Sequence, residues 1–332
     1  MKKILICGGF VMALLLLAAS ARWSSSQWKD VFVMPFCMDE KSAEITLQSD
    51  EPLREFAAEL EERGMIVSRR NFLYWMAKKG ADRSLKAGTY RFSSGPSWYV
   101  AEQLKKASPI YVSALILPGA FPDAPLPLGT PEQQRAELDN LNNYPEALRT
   151  ILPDSAEARA AFLLPETYLL VKASLPELIR KASEAWYRRF GGVVAKKETA
   201  TRAAVIASLL QREAQVPEEY AVIAGVIENR LRRGMNLEID ASVVYAWYRS
   251  TGEILRRVLY KHLAVDSPYN TYKYPGLPPA PICVPSSAAW EGALAPEEND
   301  YLYYVSAGDG RHHFAKNDRE HAKNVAEYRK KK

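Results

Sequence analysis

The segment from Ala203 to Ser242, AAVIASLLQREAQVPEEYAVIAGVIENRLRRGMNLEIDAS, places several carboxylates beside two strongly patterned helices. In the first helix, apolar residues recur at three- and four-residue spacing through Ile206 and Leu210, which is the periodicity of one helix face. Glu213 falls on the same face, three residues after Leu210, so an acid ends the apolar stripe. It is either a rim residue at the helix end or an acid half-buried in a cleft, where desolvation raises the pKa. The pattern alone favours the rim interpretation.

The second helix has clear boundaries in the sequence. Pro217 suits its first turn and Gly234 suits the residue after its last turn. Its apolar face is formed by Val222, Ile223, Val226 and Ile227. The two helices are therefore predicted to pack as a hairpin joined by the turn at 214–216. Asn229 lies beyond the apolar face and is predicted to be solvated.

Two further acids follow this hairpin. Residues 235–240 are predicted to form a strand or an extended loop, and residues 241–247 a helix. Glu238 and Asp240 alternate with apolar residues, so on a strand both acids would point the same way. By itself this pattern indicates a solvent-facing edge.

A long loop and a hairpin complete the C-terminal half. Residues 267–281, SPYNTYKYPGLPPAP, are rich in Pro, Tyr and Asn and follow no hydrophobic period. Ordered loops of this length are often functional, and a sugar site uses tyrosine rings and amide groups of this kind. A structural brace is the alternative interpretation. Strands are predicted at 301–306 and 312–315, joined by a turn at Gly308–Gly310.

Several of these segments together resemble a known family. They are IASLLQRE (206–213), VIENRLRRGMNLEIDASVVYAW (226–247), SPYNTYKYPGLPPAPI (267–282), YLYYVSAGDGRHHF (301–314), EHAKNVAEY (320–328), LPETYLL (164–170) and LKAGTYRF (85–92). The chain is similar to the endolytic murein transglycosylases of the MltG (YceG-like) family over nearly everything after about residue 40.

The resemblance implies a peptidoglycan lytic transglycosylase, a lyase that needs no cofactor. It would cleave the β-1,4 bond between N-acetylmuramic acid and N-acetylglucosamine within glycan strands, leave 1,6-anhydro ends, and terminate the elongation of nascent strands. Such chemistry needs one acid that first donates and then accepts a proton. Glu213 matches the catalytic position, which is the second acid of the family's E-x-E segment, whereas Gln211 replaces the first acid.

The resemblance also implies a set of residues that bind substrate. They are Gln211, Glu238, Asp240, Ser242, Tyr269, Asn270, Thr271 and Tyr272. Asp240 and Ser242 match the family, whereas Glu238 replaces a usual Gln. This departure adds an acid near the catalytic position, which could raise a pKa or alter substrate contacts.

Two other functions are compatible with the sequence. A hydrolytic muramidase would pair Glu213 with Asp240 or Glu238 and let water attack. A noncatalytic peptidoglycan-binding or scaffold protein would result if the departures at Gln211 and Glu238 abolish turnover.

The N terminus predicts an export segment. Lys2 and Lys3 precede an uncharged run at 4–21, which is close to the length of a transmembrane helix. The ending Ala19-Ser20-Ala21 also fits a signal-peptidase site. The favoured interpretation is a single-pass anchor over 1–22 in the bacterial inner membrane, with the remaining chain on the periplasmic side.

The fold is predicted to be α+β, with a linker at 23–40 and two domains. Residues 41–107 are predicted to form a small α+β subdomain that resembles the LysM-like part of the family, and residues 108–332 the larger catalytic domain. In the smaller domain, Tyr90 and Phe92 alternate on a predicted strand and are predicted to be core residues.

Composition limits the partners. The 332-residue chain is 48% hydrophobic and 25% charged, as expected of a globular protein. Its net charge of +5 is small and dispersed, which argues against nucleic-acid binding and suits an anionic envelope polymer. Neither the three Cys nor the four His residues show metal-ligand spacing. The expected partners are peptidoglycan strands, the membrane and, by the resemblance, peptidoglycan synthases such as penicillin-binding proteins.

Overall fold

The computed structural model describes Asp30 and residues 41–331. They form two compact units: the first contains the described residues through Val112 together with Leu169–Ala173, and the second contains Ser113–Tyr168 and the described residues from Ser174 onward. Both helices and sheets are present, so the predicted α+β class is confirmed. The predicted anchor and all of the predicted linker except Asp30 lie outside the described residues.

The first unit is a two-stranded sheet covered by helices. Its elements are β1 (Ser42–Leu47), α1 (Leu53–Glu62), α2 (Arg69–Lys78), β2 (Gly88–Ser93) and α3 (Ser97–Lys106). Strands β1 and β2 are antiparallel, with Ser42 opposite Ser93 and Leu47 opposite Gly88. Tyr90 and Phe92 on β2 lie in the core that this sheet shares with the three helices, which confirms the predicted burial of both rings.

The second unit begins with short elements. They are β3 (Val112–Leu115), whose first residue belongs to the first unit, α4 (Pro131–Asp139), α5 (Glu146–Arg149), α6 (Ala156–Arg159), β4 (Thr167–Leu170), whose last two residues belong to the first unit, and α7 (Leu175–Phe190). Helix α7 packs Trp186 against Phe162 and Trp290. All three rings are fully buried, so this aromatic cluster forms the centre of the unit.

The remaining elements carry the predicted site. They are α8 (Lys197–Glu213), α9 (Tyr220–Arg232), α10 (Asp240–Thr251), α11 (Ser287–Leu294), β5 (Tyr303–Ser306), β6 (His312–Ala315) and α12 (Asp318–Lys331). Helices α8 and α9 contact each other across a short turn, which confirms the predicted hairpin. Strands β5 and β6 pair antiparallel, as predicted. Gly234 ends the α9 segment with a positive φ of 65°, a conformation that glycine adopts without strain.

The structure decides between the two forms predicted for 235–240. Residues 235–239 form a loop, in which Glu238 has a left-handed φ of 53° and its backbone N–H donates to the Thr271 carbonyl. One other local prediction is wrong. Asn229 is buried and not solvated. Its side-chain amide donates to the carbonyls of Asn299 and Tyr301 at 2.8 and 2.9 Å, so a later segment of the chain covers it.

Residues 41–331 contain neither a membrane-spanning helix nor a metal-binding cluster. Within 41–331, no helix is both long and apolar enough to cross a membrane. In the same range, no cluster of three or more His, Cys, Asp or Glu side chains is arranged to hold a metal ion. Cys283 is buried and its thiol donates to the Ser208 carbonyl at 3.3 Å, whereas Cys37 lies outside the described residues.

Candidate active site

Glu213 is the last residue of α8, and its side chain lines a cleft. The stripe that precedes it, including Ile206 and Leu210, is almost completely buried, so the core fixes the end of the helix. Glu213 itself is partly exposed. The cleft has a volume of about 480 Å³ and is lined by Glu213, Arg230, Leu237, Glu238, Asp240, Tyr272, Tyr303, Tyr304, Val305 and His321. Of the two interpretations of the stripe, the structure therefore selects the acid in a cleft.

The surroundings of Glu213 raise its pKa to about 7. The largest cause is desolvation by burial, and the negative charge of Asp240 acts in the same direction. A hydrogen bond from the Tyr304 hydroxyl and the influence of His312 lower the pKa of Glu213 and partly offset these effects. Near neutral pH the group is therefore divided between the neutral acid and the carboxylate.

Tyr304, on strand β5, lines the same cleft as Glu213. Burial and the adjacent Glu213 carboxylate raise the pKa of the Tyr304 phenol well above its usual value. The phenol therefore keeps its proton and acts as a hydrogen-bond donor.

Asp240 is the first residue of α10, where the helix dipole favours a negative charge. Its Oδ1 accepts a hydrogen bond of 2.7 Å from the Tyr272 hydroxyl. Burial, followed by this hydrogen bond, raises the pKa of Tyr272, and the carboxylates of Glu213 and Glu238 add to the effect. The Tyr272 hydroxyl therefore keeps its proton at neutral pH and orients Asp240 in the cleft through this hydrogen bond.

Glu238 forms the exposed edge of the cleft. Its Oε2 lies 3.1 Å from Nη1 of Arg230, whose side chain is only 9% exposed. The Arg230 guanidinium also donates to the carbonyls of Leu302, Asn236 and Leu237 at 2.6 to 2.9 Å and lies over the Tyr303 ring. The buried Arg230 thus connects the loop that carries Glu238 to strand β5. Glu238, which replaces the usual Gln of the family, therefore has an ion-pair partner within the cleft.

Three of the predicted substrate-binding residues lie beneath the cleft. Ser242, Asn270 and Thr271 are at most 1% exposed. The Thr271 hydroxyl accepts from Ile239 N at 2.9 Å and lies 2.8 Å from the Ser242 hydroxyl. The Asn270 amide donates to two loop carbonyls at 2.9 Å. These groups form hydrogen bonds within the protein and hold the 267–274 loop against α10. That they bind substrate stays a prediction.

Two other predicted residues lie away from the cleft lining. Gln211 Oε1 accepts from Ser286 N at 2.8 Å, which connects α8 to the start of α11. The ring of Tyr269 packs edge-on against Tyr245 with 4.9 Å between centroids. The structure therefore brings together Glu213, Glu238, Asp240 and Tyr272, whereas Gln211 and Tyr269 have local packing partners.

Four polar cleft residues were missed by the sequence interpretation, namely Arg230, Tyr303, Tyr304 and His321. Tyr303 stacks on His321 with 5.1 Å between ring centroids. Burial, and to a smaller extent Arg230, lower the pKa of His321, and its Nδ1 is buried with no hydrogen-bond partner among the described residues. The signal available in the sequence was that Tyr303, Tyr304 and His321 fall within the segments that carry the family resemblance.

A buried pair anchors the β5–β6 hairpin next to the site. Glu219, in the short turn (Pro217–Glu219) between α8 and α9, accepts from the backbone N–H of His312 at 2.9 Å and lies 2.7 Å from its Nδ1. His312 therefore joins strand β6 to this turn. The hairpin that supplies Tyr304 is held against the turn that follows Glu213.

Comparison with known proteins agrees with this architecture. The YceG-like family model matches residues 45–327. The endolytic murein transglycosylase of Bacillus subtilis is 28% identical over 308 residues, which cover 86% of this chain and 84% of that protein. The endolytic murein transglycosylase of Streptococcus pneumoniae is 30% identical over 195 residues, which cover 56% of this chain and 35% of that protein.

A solved structure supports the same fold. The crystal structure of a YceG-like protein from Listeria monocytogenes superposes with a TM-score of 0.52 at 24% identity, covering 86% of this chain and 99% of that one. The family match covers most of the described residues and includes every residue that lines the cleft. The chain belongs to the YceG-like family.

Proposed function

We propose that this protein is an endolytic peptidoglycan lytic transglycosylase that uses Glu213 as its single acid and base. The observation that carries the proposal is a carboxyl group with a pKa raised to about 7 in an open cleft. The two relatives named endolytic murein transglycosylase support the choice of glycan as substrate. A cleft lined by tyrosines and charged groups suits a polar sugar chain.

The reaction needs two proton transfers at one carboxyl group. Neutral Glu213 donates its proton to the glycosidic oxygen, and the bond from that oxygen to the muramoyl C1 breaks. The C6 hydroxyl of the same muramoyl residue then attacks C1, and the Glu213 carboxylate accepts the hydroxyl proton. The products are a 1,6-anhydro end and a new free hydroxyl on the departing sugar, so no water is consumed.

The neighbours of Glu213 suit this cycle. Burial and Asp240 keep part of the Glu213 population neutral for the first step. Asp240, oriented by Tyr272, also places a negative charge near the sugar carbon that becomes positive in an oxocarbenium-like transition state. The Tyr304 hydroxyl lowers the pKa of Glu213 and so favours the carboxylate that the first step leaves behind.

The closeness of Asp240 also gives a reason to consider a hydrolytic muramidase. In that reaction a second carboxylate assists water or acts as a nucleophile, and the products carry reducing ends. Mass spectrometry of sacculus digests by the full-length chain distinguishes the two reactions. We expect anhydro ends; reducing ends alone would establish hydrolysis.

The central test is Glu213→Gln in the same digestion. Gln keeps the shape of the side chain but removes the titrating proton, and a positioned acid or base contributes about 100- to 10,000-fold. We expect product release to fall by at least about 100-fold while sacculus binding is retained. Glu228→Gln is the matched control, because Glu228 pairs with Arg202 outside this cleft. Full activity of Glu213→Gln would refute the assignment.

We also propose the cellular setting that the sequence predicts. The chain is a single-pass protein of the bacterial inner membrane with its described units on the periplasmic side, which the basic residues before the apolar run at 4–21 support. The first unit serves as a LysM-like glycan-binding module, and the enzyme ends strand elongation beside peptidoglycan synthases. Protease added to intact spheroplasts should digest the two units; their protection would contradict the orientation.

The terminating role has its own measurement. Cells whose only copy carries Glu213→Gln should contain longer glycan strands than cells with the wild-type protein, because fewer nascent strands are cut. An unchanged strand-length distribution would remove this part of the proposal.

A further inference from the structure

His321 lines the cleft, but the two proton transfers of the proposed reaction do not use it. It lies in the first turn of α12. The start of this helix is fixed, because the side chain of Asn317 accepts from Glu320 N and its carbonyl accepts from His321 N, both at 3.0 Å. Asn324 on the same helix donates to the Phe314 carbonyl of strand β6 at 3.3 Å. The backbone that carries His321 is therefore held against the β5–β6 hairpin.

Stacking fixes the imidazole ring itself. Its plane lies 24° from the plane of the Tyr303 ring, with 5.1 Å between the two centroids. The Arg230 guanidinium lies 5.2 Å from the centroid of the same Tyr303 ring, and Nη1 of Arg230 lies 3.1 Å from Oε2 of Glu238. All four side chains line the cleft, so they form one connected side of it. A side chain held in this way loses little conformational freedom when it binds a ligand.

The two nitrogens of the His321 ring have different surroundings. Nδ1 is buried and has no hydrogen-bond partner among the described residues. The residue as a whole is partly exposed, so Nε2 is the nitrogen through which the ring can meet a ligand. A proton on Nδ1 would make a buried donor without an acceptor, which is unfavourable. The neutral ring with its proton on Nε2 avoids such a donor.

The charged groups around the ring also favour its neutral form. Burial, followed by Arg230, lowers the pKa of His321, and the carboxylates of Asp318 and Glu238 oppose this to a smaller extent. The imidazole is therefore neutral near pH 7. In this form it presents one N–H donor to the cleft.

Other polar groups of the cleft are acceptors or donate within the protein. Glu238 and Asp240 carry carboxylates. Arg230 donates to three backbone carbonyls at 2.6 to 2.9 Å, and the Tyr272 hydroxyl donates to Asp240 at 2.7 Å. A sugar chain presents hydroxyl, ring and acetamido oxygens, which accept hydrogen bonds. The Nε2–H of His321 is suited to such an oxygen.

We propose that His321 is a glycan-binding residue of the cleft, which donates a hydrogen bond from Nε2 to an oxygen of the sugar chain. The identity of the ligand rests on the proposed function. The position of the imidazole proton does not, and it can be measured without substrate.

Nitrogen NMR of the full-length chain, labelled in its histidines, locates this proton. The chain has four His residues, so the His321 signals can be identified by their loss in His321→Phe or His321→Gln. We expect Nε2 to be protonated and Nδ1 to be unprotonated at pH 7. A proton on Nδ1 at this pH, in a neutral or a charged ring, would overturn the proposal.

The contact with glycan is measured in the labelled Glu213→Gln protein, which should bind a soluble glycan chain without cutting it. The Nε2 signal of His321 should move as glycan is added. His262 is the internal control, because it lies outside the cleft lining and its Nδ1 accepts from Leu259 N at 3.0 Å. Absence of glycan binding, or binding that leaves the Nε2 signal unmoved, would refute the proposal.

Kinetics separate the donor from the ring. His321→Phe keeps a ring that can stack on Tyr303 but removes the donor, so KM should rise about 3- to 10-fold with kcat changed less than about 2-fold. His321→Gln offers an amide donor in place of Nε2 and should recover part of this loss. His313→Phe is the matched control, because His313 lies on β6 outside the cleft lining, and it should leave KM unchanged.

Two kinetic outcomes would contradict the proposal. One is a folded His321→Phe protein with the wild-type KM, and the other is a His321→Gln protein whose KM is no closer to wild type than that of His321→Phe. If the wild-type protein releases no glycan fragments, the proposed function fails. The nitrogen signals of Glu213→Gln during the glycan titration still decide whether His321 binds the sugar chain.

Discussion

At the scale of single residues, Glu213 shows how burial prepares a carboxyl group for acid catalysis. Its pKa is raised from the ordinary 4.5 to about 7, mainly because the end of α8 places the carboxyl where it is poorly solvated. The negative charge of Asp240 raises the pKa further. A carboxyl with an ordinary pKa would be almost entirely charged at neutral pH. The raised pKa leaves a substantial neutral fraction, which the first step of the proposed reaction requires.

The pH dependence of activity follows from this arrangement. Since the neutral acid starts the reaction, kcat should decline as pH rises above about 7. Asp240→Asn removes a negative charge that raises the Glu213 pKa, so the alkaline limb should move to lower pH. A pH-rate profile of both proteins checks this, with Asp266→Asn as control because Asp266 pairs with Lys273 at the surface. A limb that moves upward in Asp240→Asn would contradict the assigned direction.

The same pKa shift predicts a pH-dependent difference in stability. The folded state holds the Glu213 proton more tightly than the unfolded state, so its favourable contribution is complete below pH 4.5 and is lost as pH rises through about 7. Glu213→Gln has no such loss. Relative to wild type, this variant should therefore gain about 1 to 3 kcal/mol in the free energy of unfolding between pH 4.5 and pH 8, allowing for partial exposure of the group.

Urea denaturation at several pH values measures the difference. Glu228→Gln, which removes an ion-paired acid on α9, should not reproduce the gain. A difference between Glu213→Gln and wild type that stays constant with pH would show that Glu213 has an ordinary pKa in the folded protein.

The sequence predicted part of this residue-scale picture. Helical periodicity placed Glu213 at the end of a buried stripe, and the family resemblance selected it among the acids. Neither could place Tyr304 in the same cleft, because its position depends on the packing of a distant hairpin. The departure at Glu238 was visible in the sequence, but its buried partner Arg230 was not, since the local pattern around Arg230 does not show that its side chain is buried.

At the scale of elements, the cleft depends on a loop that is held from below. Thr271 accepts from Ile239 N and contacts the Ser242 hydroxyl, so a single hydroxyl joins the 267–274 loop to the start of α10. The same loop positions Tyr272, and α10 positions Asp240. The 267–274 loop therefore contributes to the cleft by orienting Tyr272 and Asp240.

Thr271→Val tests this support. The change keeps the shape of the side chain but leaves Ile239 N and the Ser242 hydroxyl without this partner, which costs about 1 to 3 kcal/mol per buried group left unsatisfied. We expect a lower free energy of unfolding and, through misplacement of Tyr272 and Asp240, a lower kcat. Thr199→Val, on the exposed side of α8, should change stability by no more than about 0.5 kcal/mol. Wild-type stability of Thr271→Val would show that the network adds little.

The elements were predictable where the pattern was strong. Helices α8 and α9 have regular apolar faces, and the sequence predicted the turn between them and the end of α9 at Gly234. The sequence left a strand and an extended loop open at 235–240, because alternation of apolar and acidic residues does not reveal a left-handed residue such as Glu238. Helix α12 was not predicted, because its sequence DREHAKNVAEYRKK contains few apolar residues to set a period.

At the scale of the whole molecule, the two units divide the proposed tasks. The cleft residues all belong to the second unit, whereas the first unit has its own core. The chain returns to the first unit at Leu169–Ala173, so deletion of residues 41–107 would leave this segment without its unit. Single substitutions are therefore a cleaner test of the glycan-binding role than deletion.

Trp98→Ala provides such a test. Trp98 is 38% exposed at the start of α3, and an exposed aromatic ring can stack on the apolar face of a sugar. If the first unit holds glycan, sedimentation with sacculi should weaken about 5-fold or more while cleavage of a short soluble glycan stays unchanged. Leu117→Ala removes an exposed apolar side chain in the second unit and should leave both unchanged. Equal loss of binding and cleavage in Trp98→Ala would show that the first unit also serves the reaction.

The sequence predicted the fold class of the molecule more readily than the division of the chain into two units. The α+β class and the family followed from patterns and segments along the chain. The return of Leu169–Ala173 to the first unit could not be predicted, because a five-residue segment carries no local signal of which distant residues it contacts.

The cleft is completed by segments that follow Glu213 in the sequence. Tyr304 and His321, which line it, follow Glu213 in the order of synthesis, and strand β6 and helix α12 come after β5. A growing chain therefore exposes its acid before the groups that surround and hold it are present. The cleft can therefore form only after the chain has been synthesised through His321, although the acid that the proposed reaction needs is made much earlier.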